Sequence, residues 1–252
     1  LLDYDNDGDV DLFVPGGSVA GQSQPSRLYR NGEAAASLNR GRPLAFFEVS
    51  ERIGLDAGGA IAGVSADWDR DGDADLFTTG PTGSRFHINA EHFFAPGDDN
   101  EPLPGATGQP SLADIDNDAD EDLYLPGIVG DGPIRNMPCR NLSVSPIWTP
   151  AQLNGEAAPA PSSRFVDHSS DWSIGNDLAG VVGVLWADID KDVDADAVVF
   201  GTFDPGLAVF RNDRENGFHA MSSEVLGGWR AGKVLGATLG DVNKDGYLDI
   251  VA

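Results

Sequence analysis

The sequence predicts an all-β fold, a β-propeller of four-stranded antiparallel blades, with about four to five blades within its 252 residues. Three observations carry that expectation. A nine-residue acidic pattern, first met as "DYDNDGDVD", recurs as "DWDRDGDAD", "DIDNDADED", "DIDKDVDAD" and "DVNKDGYLD", at residues 3–11, 67–75, 114–122, 188–196 and 241–249. Successive windows start 64, 47, 74 and 53 residues apart, the range of one blade with loops of variable length. The 32 Gly and 16 Pro favour many turns between short strands over long helices.

The flanks of the windows supply the strands. Each window runs into a short apolar segment: "LFVPG", "LFTTG", "LYLPG", "AVVFG" and "IVA". The last four windows are preceded by "AIAGVSA", "QPSLA", "VVGVLWA" and "KVLGATLG". Small, apolar and β-branched residues on both sides of a polar loop read as the first and second strands of a hairpin. Further on, "RLYRN", "SRFHIN" and "AVFRND" supply a third strand, and "FFEVS" and "RFVDHS" a fourth. The stretches 96–110 and 146–161 are too rich in Pro, Gly and Ala for central strands and read as surface insertions, so residues 1–252 form one propeller domain. Residue 1 stands just before a loop and residue 252 on a second strand, which leads to the expectation of a piece of a larger ring.

Charge gives the first indication of chemistry. The chain has 41 acidic and 16 basic residues, a formal charge of −25, which argues against a phosphate backbone or an anionic membrane as partner. The longest apolar stretch, residues 178–187, has roughly half the length needed to cross a bilayer. Of the 41 acidic side chains, 24 fall in the five windows. Carboxylates this close repel one another, so a bound cation is the physical explanation, and oxygen-only ligands at this density suit Ca²⁺ before Mg²⁺. There is no Cys/His cluster for zinc, and the one cysteine, Cys139, reads as a buried thiol.

An EF-hand loop also begins D-x-D-x-D-G, but it needs a bidentate Glu at position twelve. Here those positions are Val14, Thr78, Leu125, Val199 and Ala252, which cannot chelate. The acidic residue comes instead at position nine (Asp11, Asp75, Asp122, Asp196, Asp249), and a strand follows. Side chains at positions one, three, five and nine are therefore candidate ligands, with the backbone carbonyl at position seven, where Tyr247 stands in the fifth loop. Position six needs a sharp turn, which Gly8, Gly72 and Gly246 supply through positive φ and which Ala119 and Val193 resist. The expectation is that the Val193 loop turns differently or binds most weakly. The fifth loop, with neutral Asn243 at position three, is expected to bind more weakly than the first.

These residues resemble the FG-GAP or VCBS repeats, the repeats of the integrin α-subunit propeller. The likeness rests on the loop D-x-[DN]-x-D-G-x-x-D followed by D-[LI]-[FYV], on "GVSADWDRDGDADLF", on "RLYRN" and on "FFEVSERIGL", and it covers essentially the whole chain. The resemblance implies a propeller of usually seven blades with Ca²⁺ in the loop between the first and second strands. Carried over residue by residue, it implies as side-chain ligands Asp3, Asp5, Asp7 and Asp11; Asp67, Asp69, Asp71 and Asp75; Asp114, Asp116, Asp118 and Asp122; Asp188, Asp190, Asp192 and Asp196; and Asp241, Asn243, Asp245 and Asp249. The main-chain oxygens of Asp9, Asp73, Asp120, Asp194 and Tyr247 would join them. Ala119 and Val193 are departures from the pattern.

Other signals are weaker. "GGWRAGKV" nearly spells a phosphate-binding loop but has Val234 where that loop needs a hydroxyl. His87 and His92 have no hydrolase motif around them, and Asn141-Leu142-Ser143 fits a glycosylation sequon. Trp68, Trp172, Trp186 and Trp229 are expected to pack between blades. The functional expectation is a non-enzymatic, calcium-binding scaffold, extracellular, at the cell surface or periplasmic, that binds a protein or glycan. The alternatives are a polysaccharide lyase or sugar dehydratase and a calcium-dependent lectin.

Overall fold

Side chains of a strand point alternately to opposite faces, so a strand covered on both faces must be apolar throughout. The runs that follow the acidic windows are mostly apolar, with buried Thr78 and Thr79 as hydrogen-bonded exceptions. In the computed structural model, which describes residues 1–32, 45–55, 57–68, 71–96, 103–130, 135–141, 165–222, 224, 226–227, 229 and 232–252, they form the second strands of successive antiparallel sheets.

The first sheet holds β1 (Leu12–Val14), β4 (Arg27–Gly32) and β5 (Ala45–Glu48); a small hairpin of β2 (Ser18–Val19) and β3 (Gln22–Ser23) lies between β1 and β4 in sequence. An antiparallel bridge joins Leu2 to Asp11 ahead of β1. The second sheet runs β6 (Ala62–Ala66), β7 (Asp75–Gly80), β8 (Gly83–Ala90), β9 (Phe93–Pro96), and the third β10 (Ser111–Ala113), β11 (Asp122–Ile128), β12 (Arg135–Asn141), β13 (Phe165–Asp167). The fourth runs β14 (Val181–Ala187), β15 (Asp196–Gly201), β16 (Leu207–Asn212), β17 (Phe218–Ala220), and β18 (Thr238–Gly240) pairs β19 (Asp249–Val251). In every four-stranded sheet the spatial order equals the sequence order, the up-and-down pattern of a propeller blade. The fold is an all-β propeller arrangement, as the repeat pattern predicts.

Four apolar clusters lie between successive blades. Leu28, Val49, Leu76 and Phe94 join blades one and two, and Trp68, Phe77, Leu123, Leu125 and Phe165 join blades two and three. Tyr124, Trp172, Val199 and Phe210 join blades three and four, and Val198, Phe200, Val209, Leu239 and Ile250 join blade four to the β18–β19 pair. Neighbours on one strand thus face opposite ways: Leu76 toward blade one and Phe77 toward blade three, Leu123 toward blade two and Tyr124 toward blade four. All four tryptophans singled out above lie in these clusters. Cys139 is fully buried between blades two and three, and burial pushes its thiol far above the usual range.

The third strand of blade three escaped the sequence reading because Pro138 interrupts it. Its carbonyl still accepts from the His168 N–H at 2.9 Å, so the proline is accommodated within the pairing. Residues 146–161 and 97–102 of the expected insertions lie outside the described residues, as do Gly228, Arg230 and Ala231 of the "GGWRAGKV" stretch.

Phe77 is fully buried between two blades. Phe77→Ala is expected to cost about 3–5 kcal/mol, read as a lower urea midpoint in equilibrium unfolding.

Candidate metal centre

The acidic windows fall between the first and second strands of each blade, and the ninth-position aspartate fixes each one there. Asp11, Asp75, Asp122 and Asp196 have no exposed surface. One oxygen of each accepts the N–H of the loop's second residue: Tyr4 at 3.0 Å, Trp68 at 3.0 Å, Ile115 at 2.9 Å and Ile189 at 2.8 Å. The other accepts the N–H of an asparagine on the third strand: Asn31 at 2.7 Å, Asn89 at 2.8 Å, Asn141 at 2.7 Å and Asn212 at 2.8 Å. In the fifth loop Asp249 accepts from Val242 at 2.9 Å. Burial raises the carboxyls of Asp11 and Asp196 above the ordinary range and pushes Asp122 up to about 7, opposed in each case by the two N–H donors.

The first-position aspartate shapes the turn. Its two oxygens accept the N–H groups of the fifth and sixth residues: Asp3 from Asp7 and Gly8, Asp67 from Asp71 and Gly72, Asp114 from Asp118 and Ala119, Asp188 from Asp192 and Val193, and Asp241 from Asp245 and Gly246. The sixth residue has positive φ in all five loops, +86° at Gly8, +99° at Gly72, +70° at Ala119, +79° at Val193 and +84° at Gly246. Of the two expectations for the Val193 loop, a different turn is therefore corrected: the two capping hydrogen bonds impose the left-handed turn, and Ala119 and Val193 both carry its strain. Val193 can do so because its side chain is 77% exposed and meets no crowding. The fourth residue is also left-handed at Asn6, Asn117, Lys191 and Lys244.

The remaining ligand candidates divide. One oxygen each from Asp3, Asp5 and Asp11 lie within 4.8 Å of one another, as do those of Asp114, Asp116 and Asp122 and those of Asp188, Asp190 and Asp196. Positions one, three and nine thus converge in loops one, three and four. The fifth-position carboxylates Asp7, Asp118 and Asp192 stand outside those groups, each accepting the N–H of the seventh residue (Asp9, Asp120 and Asp194). Asp71 and Asp245 do the same for Asp73 and Tyr247. Asp69 lies outside the described residues. In loop five Asn243 Nδ2 donates to Asp245 Oδ2 at 3.0 Å.

A hard cation fits these groups. The donors are all oxygen, and Asp5 Oδ1 and Asp116 Oδ1, both buried in the convergent clusters, have no hydrogen-bond partner. An orphaned carboxylate oxygen in a buried place costs more than it returns unless a cation meets it. Asp3, Asp5 and Asp11, Asp114, Asp116 and Asp122, and Asp188, Asp190 and Asp196 are the residues that would hold it.

Successive loops are also stitched together, which the sequence reading missed. Asn6 Nδ2 in loop one donates to Gly72 O at 3.0 Å and Asp73 Oδ1 at 2.6 Å in loop two. Asn117 Nδ2 in loop three donates to Asp194 Oδ1 at 2.7 Å in loop four, and Lys191 Nζ in loop four donates to Gly246 O at 3.3 Å and lies 3.8 Å from the Tyr247 ring centre. The third-strand asparagines reach the other way: Asn89 Nδ2 donates to Tyr4 O at 2.7 Å, and Asn212 Nδ2 to Ile115 O at 2.8 Å. The signal was present, since an asparagine closes "RLYRN", "SRFHIN" and "AVFRN". Asn141, the sequon residue, is the blade-three member of this set: it is 2% exposed and its Nδ2 donates to Glu121 O at 3.0 Å.

A family model described as "FG-GAP-like repeat" matches residues 188–252, the stretch that holds loops four and five. The same loop and its flanking hydrogen bonds recur from residues 3, 67 and 114. No curated protein matches the chain. Among solved structures the chain is similar to one titled as the structural basis of recognition of non-reducing terminal N-acetylglucosamine by an Agrocybe aegerita lectin, at 19% identity and a TM-score of 0.44. That alignment covers 96% of this chain and 60% of the lectin chain, so this chain spans about three fifths of that structure's length.

Two outcomes follow from the loop geometry. Val193→Gly relieves the left-handed strain and is expected to stabilise the protein by about 0.5–1 kcal/mol, read from the denaturant midpoint. The second concerns Asp122, whose carboxyl is raised in the folded protein: with calcium chelated, its stabilising contribution is complete below the ordinary carboxylate range and is lost as pH rises toward 7. Melting in chelator should therefore occur at a higher temperature at about pH 5 than at about pH 7.5, and Asp122→Asn should flatten that difference.

Proposed function

We propose that the protein is a calcium-stapled propeller that serves as an extracellular scaffold for binding a protein or glycan. The observation that carries the reading is the repeated convergence of first-, third- and ninth-position carboxylates, with buried, partnerless oxygens on Asp5 and Asp116. A divalent cation would offset the mutual repulsion of these carboxylates and hold the first strand to the second. The FG-GAP-like repeat at residues 188–252 supports the same reading, because the loops of such repeats resemble calcium sites.

The extracellular assignment rests on affinity. Partly exposed loops of this kind suit the high calcium outside cells, where weak sites with dissociation constants of roughly 10⁻⁴–10⁻³ M fill. No helix among the described residues is long and apolar enough to cross a membrane. The acidic surface favours a partner with cationic or hydroxyl groups over nucleic acid. The role proposed is binding without catalysis.

Thermal melting in calcium and in chelator tests the staple. With calcium at about 1 mM and a dissociation constant of about 0.1 mM, each site adds about 1.4 kcal/mol, so several sites together are expected to raise the melting temperature by about 10 °C or more. An identical curve in chelator contradicts the reading. The scaffold role is tested by coating beads with the protein and measuring attachment to cells and to arrayed glycans: attachment abolished by chelator supports it, whereas release of shortened polysaccharide products would assign an enzyme instead.

A further inference from the structure

We infer that an arginine at the end of the third strand sets how strongly individual acidic loops hold their cation, weakening loops one and three, while Asp213 frees loop four from the same effect. The inference rests on the calcium reading above and adds to it which residues grade the sites.

The arginine stands at one register, immediately before the asparagine that ties down the ninth-position carboxylate. In blade one Arg30 Nε lies 2.5 Å from Asp5 Oδ2 and its Nη2 lies 2.8 Å from Asp7 Oδ2. Blade three repeats this: Arg140 Nε is 2.6 Å from Asp116 Oδ2 and Nη2 is 3.2 Å from Asp118 Oδ2. In both blades the guanidinium takes one oxygen of the third-position carboxylate and leaves the other, Asp5 Oδ1 or Asp116 Oδ1, buried and without a partner. Cation and guanidinium therefore share one carboxylate, and the arginine has already neutralised part of the charge that attracts the cation.

Blade four departs from the pattern for a visible reason. Arg211 is as exposed as Arg30, yet its Nε stands 3.9 Å from Asp190 Oδ2, because its Nη2 is held by Asp213 Oδ1 at 2.7 Å. Asp213 follows Asn212 directly, where blade one has Gly32 and blade three Leu142. Among the described residues, Asp213 is the carboxylate that draws this guanidinium off its loop. Blade two has Ile88 at the arginine register, so the comparison holds among blades one, three and four.

A positive charge in contact with one ligand carboxylate and with the fifth-position carboxylate beside it repels a divalent cation at the loop by enough to change affinity about tenfold under surface screening. Loop four carries its own guanidinium, Arg214, on the seventh-position Asp194 at 2.7 Å and not on a third- or fifth-position carboxylate, so it should bind calcium more tightly than loops one and three. This order reverses the expectation drawn from Val193, whose turn is as well formed as the others.

The test is a titration of the ¹⁵N-labelled, chelator-treated protein with calcium chloride, following by NMR the amides of Gly8, Ala119 and Val193, the sixth residues of loops one, three and four. Val193 should titrate at lower calcium than Gly8 and Ala119. Arg30→Gln, a change at a side chain 41% exposed, should lower the Gly8 midpoint about tenfold and leave Val193 unmoved. Asp213→Asn should release Arg211 onto Asp190 and raise the Val193 midpoint, an independent arm that stands even if the Arg30 variant does not fold. A raised Gly8 midpoint in Arg30→Gln would show that the guanidinium organises the ligands, and unmoved midpoints in both variants would show that it does nothing; either overturns the inference while the calcium reading survives. Amides that ignore calcium in the parent protein overturn both.

Discussion

A carboxylate with no exposed surface joins each acidic loop to its blade, and the remainder of the loop depends on it. Asp11, Asp75, Asp122 and Asp196 each accept one N–H from the loop and one from the third strand, so three consecutive pieces of a blade meet at one side chain. Burying a charge of this kind is unfavourable unless hydrogen bonds and an opposite charge compensate. The hydrogen bonds are in place, and the raised carboxyl of Asp122 shows that they do not compensate fully by themselves. That residual cost is what a cation at the proposed site would offset.

The same loops also order the blades relative to one another. Apolar clusters provide the bulk of inter-blade cohesion, but they are non-directional. Directional contacts come from Asn6, Asn117 and Lys191, which reach forward to the next loop, and from Asn89 and Asn212, which reach back to the previous one. A cation that stiffens one loop would thereby stiffen the contact surface offered to its neighbour. In a propeller, where each blade meets only adjacent blades, such local links decide how a rim of loops keeps its shape.

Much of this was legible in the sequence because it repeats. Five acidic windows in register located the loops, the following apolar runs located the second strands, and burial of both Leu76 and Phe77, or Leu123 and Tyr124, against opposite neighbours is what a strand between two blades requires. In the fold the four positions are not placed alike: one, three and nine converge in loops one, three and four, and five stands outside those groups. A linear pattern shows which residues carry oxygens but not where the fold aims them, nor that the carboxylates at positions one, five and nine all accept backbone N–H groups. The left-handed turn at Val193 forms against a local preference of about 1–2 kcal/mol because two capping bonds from Asp188 oppose it, and those bonds are invisible in a linear pattern. The arginines and asparagines of the third strand lay in the quoted segments, but their role appears only when the strands are folded beside the loops.

The most direct measurement of the central claim is a crystal structure from calcium-containing solution, with anomalous difference density collected at a wavelength where calcium scatters. The account requires peaks within coordination distance of Asp5 Oδ1 and Asp116 Oδ1, the buried oxygens that lack a partner. Peaks absent there, with a water or a protein donor completing those oxygens instead, would contradict it.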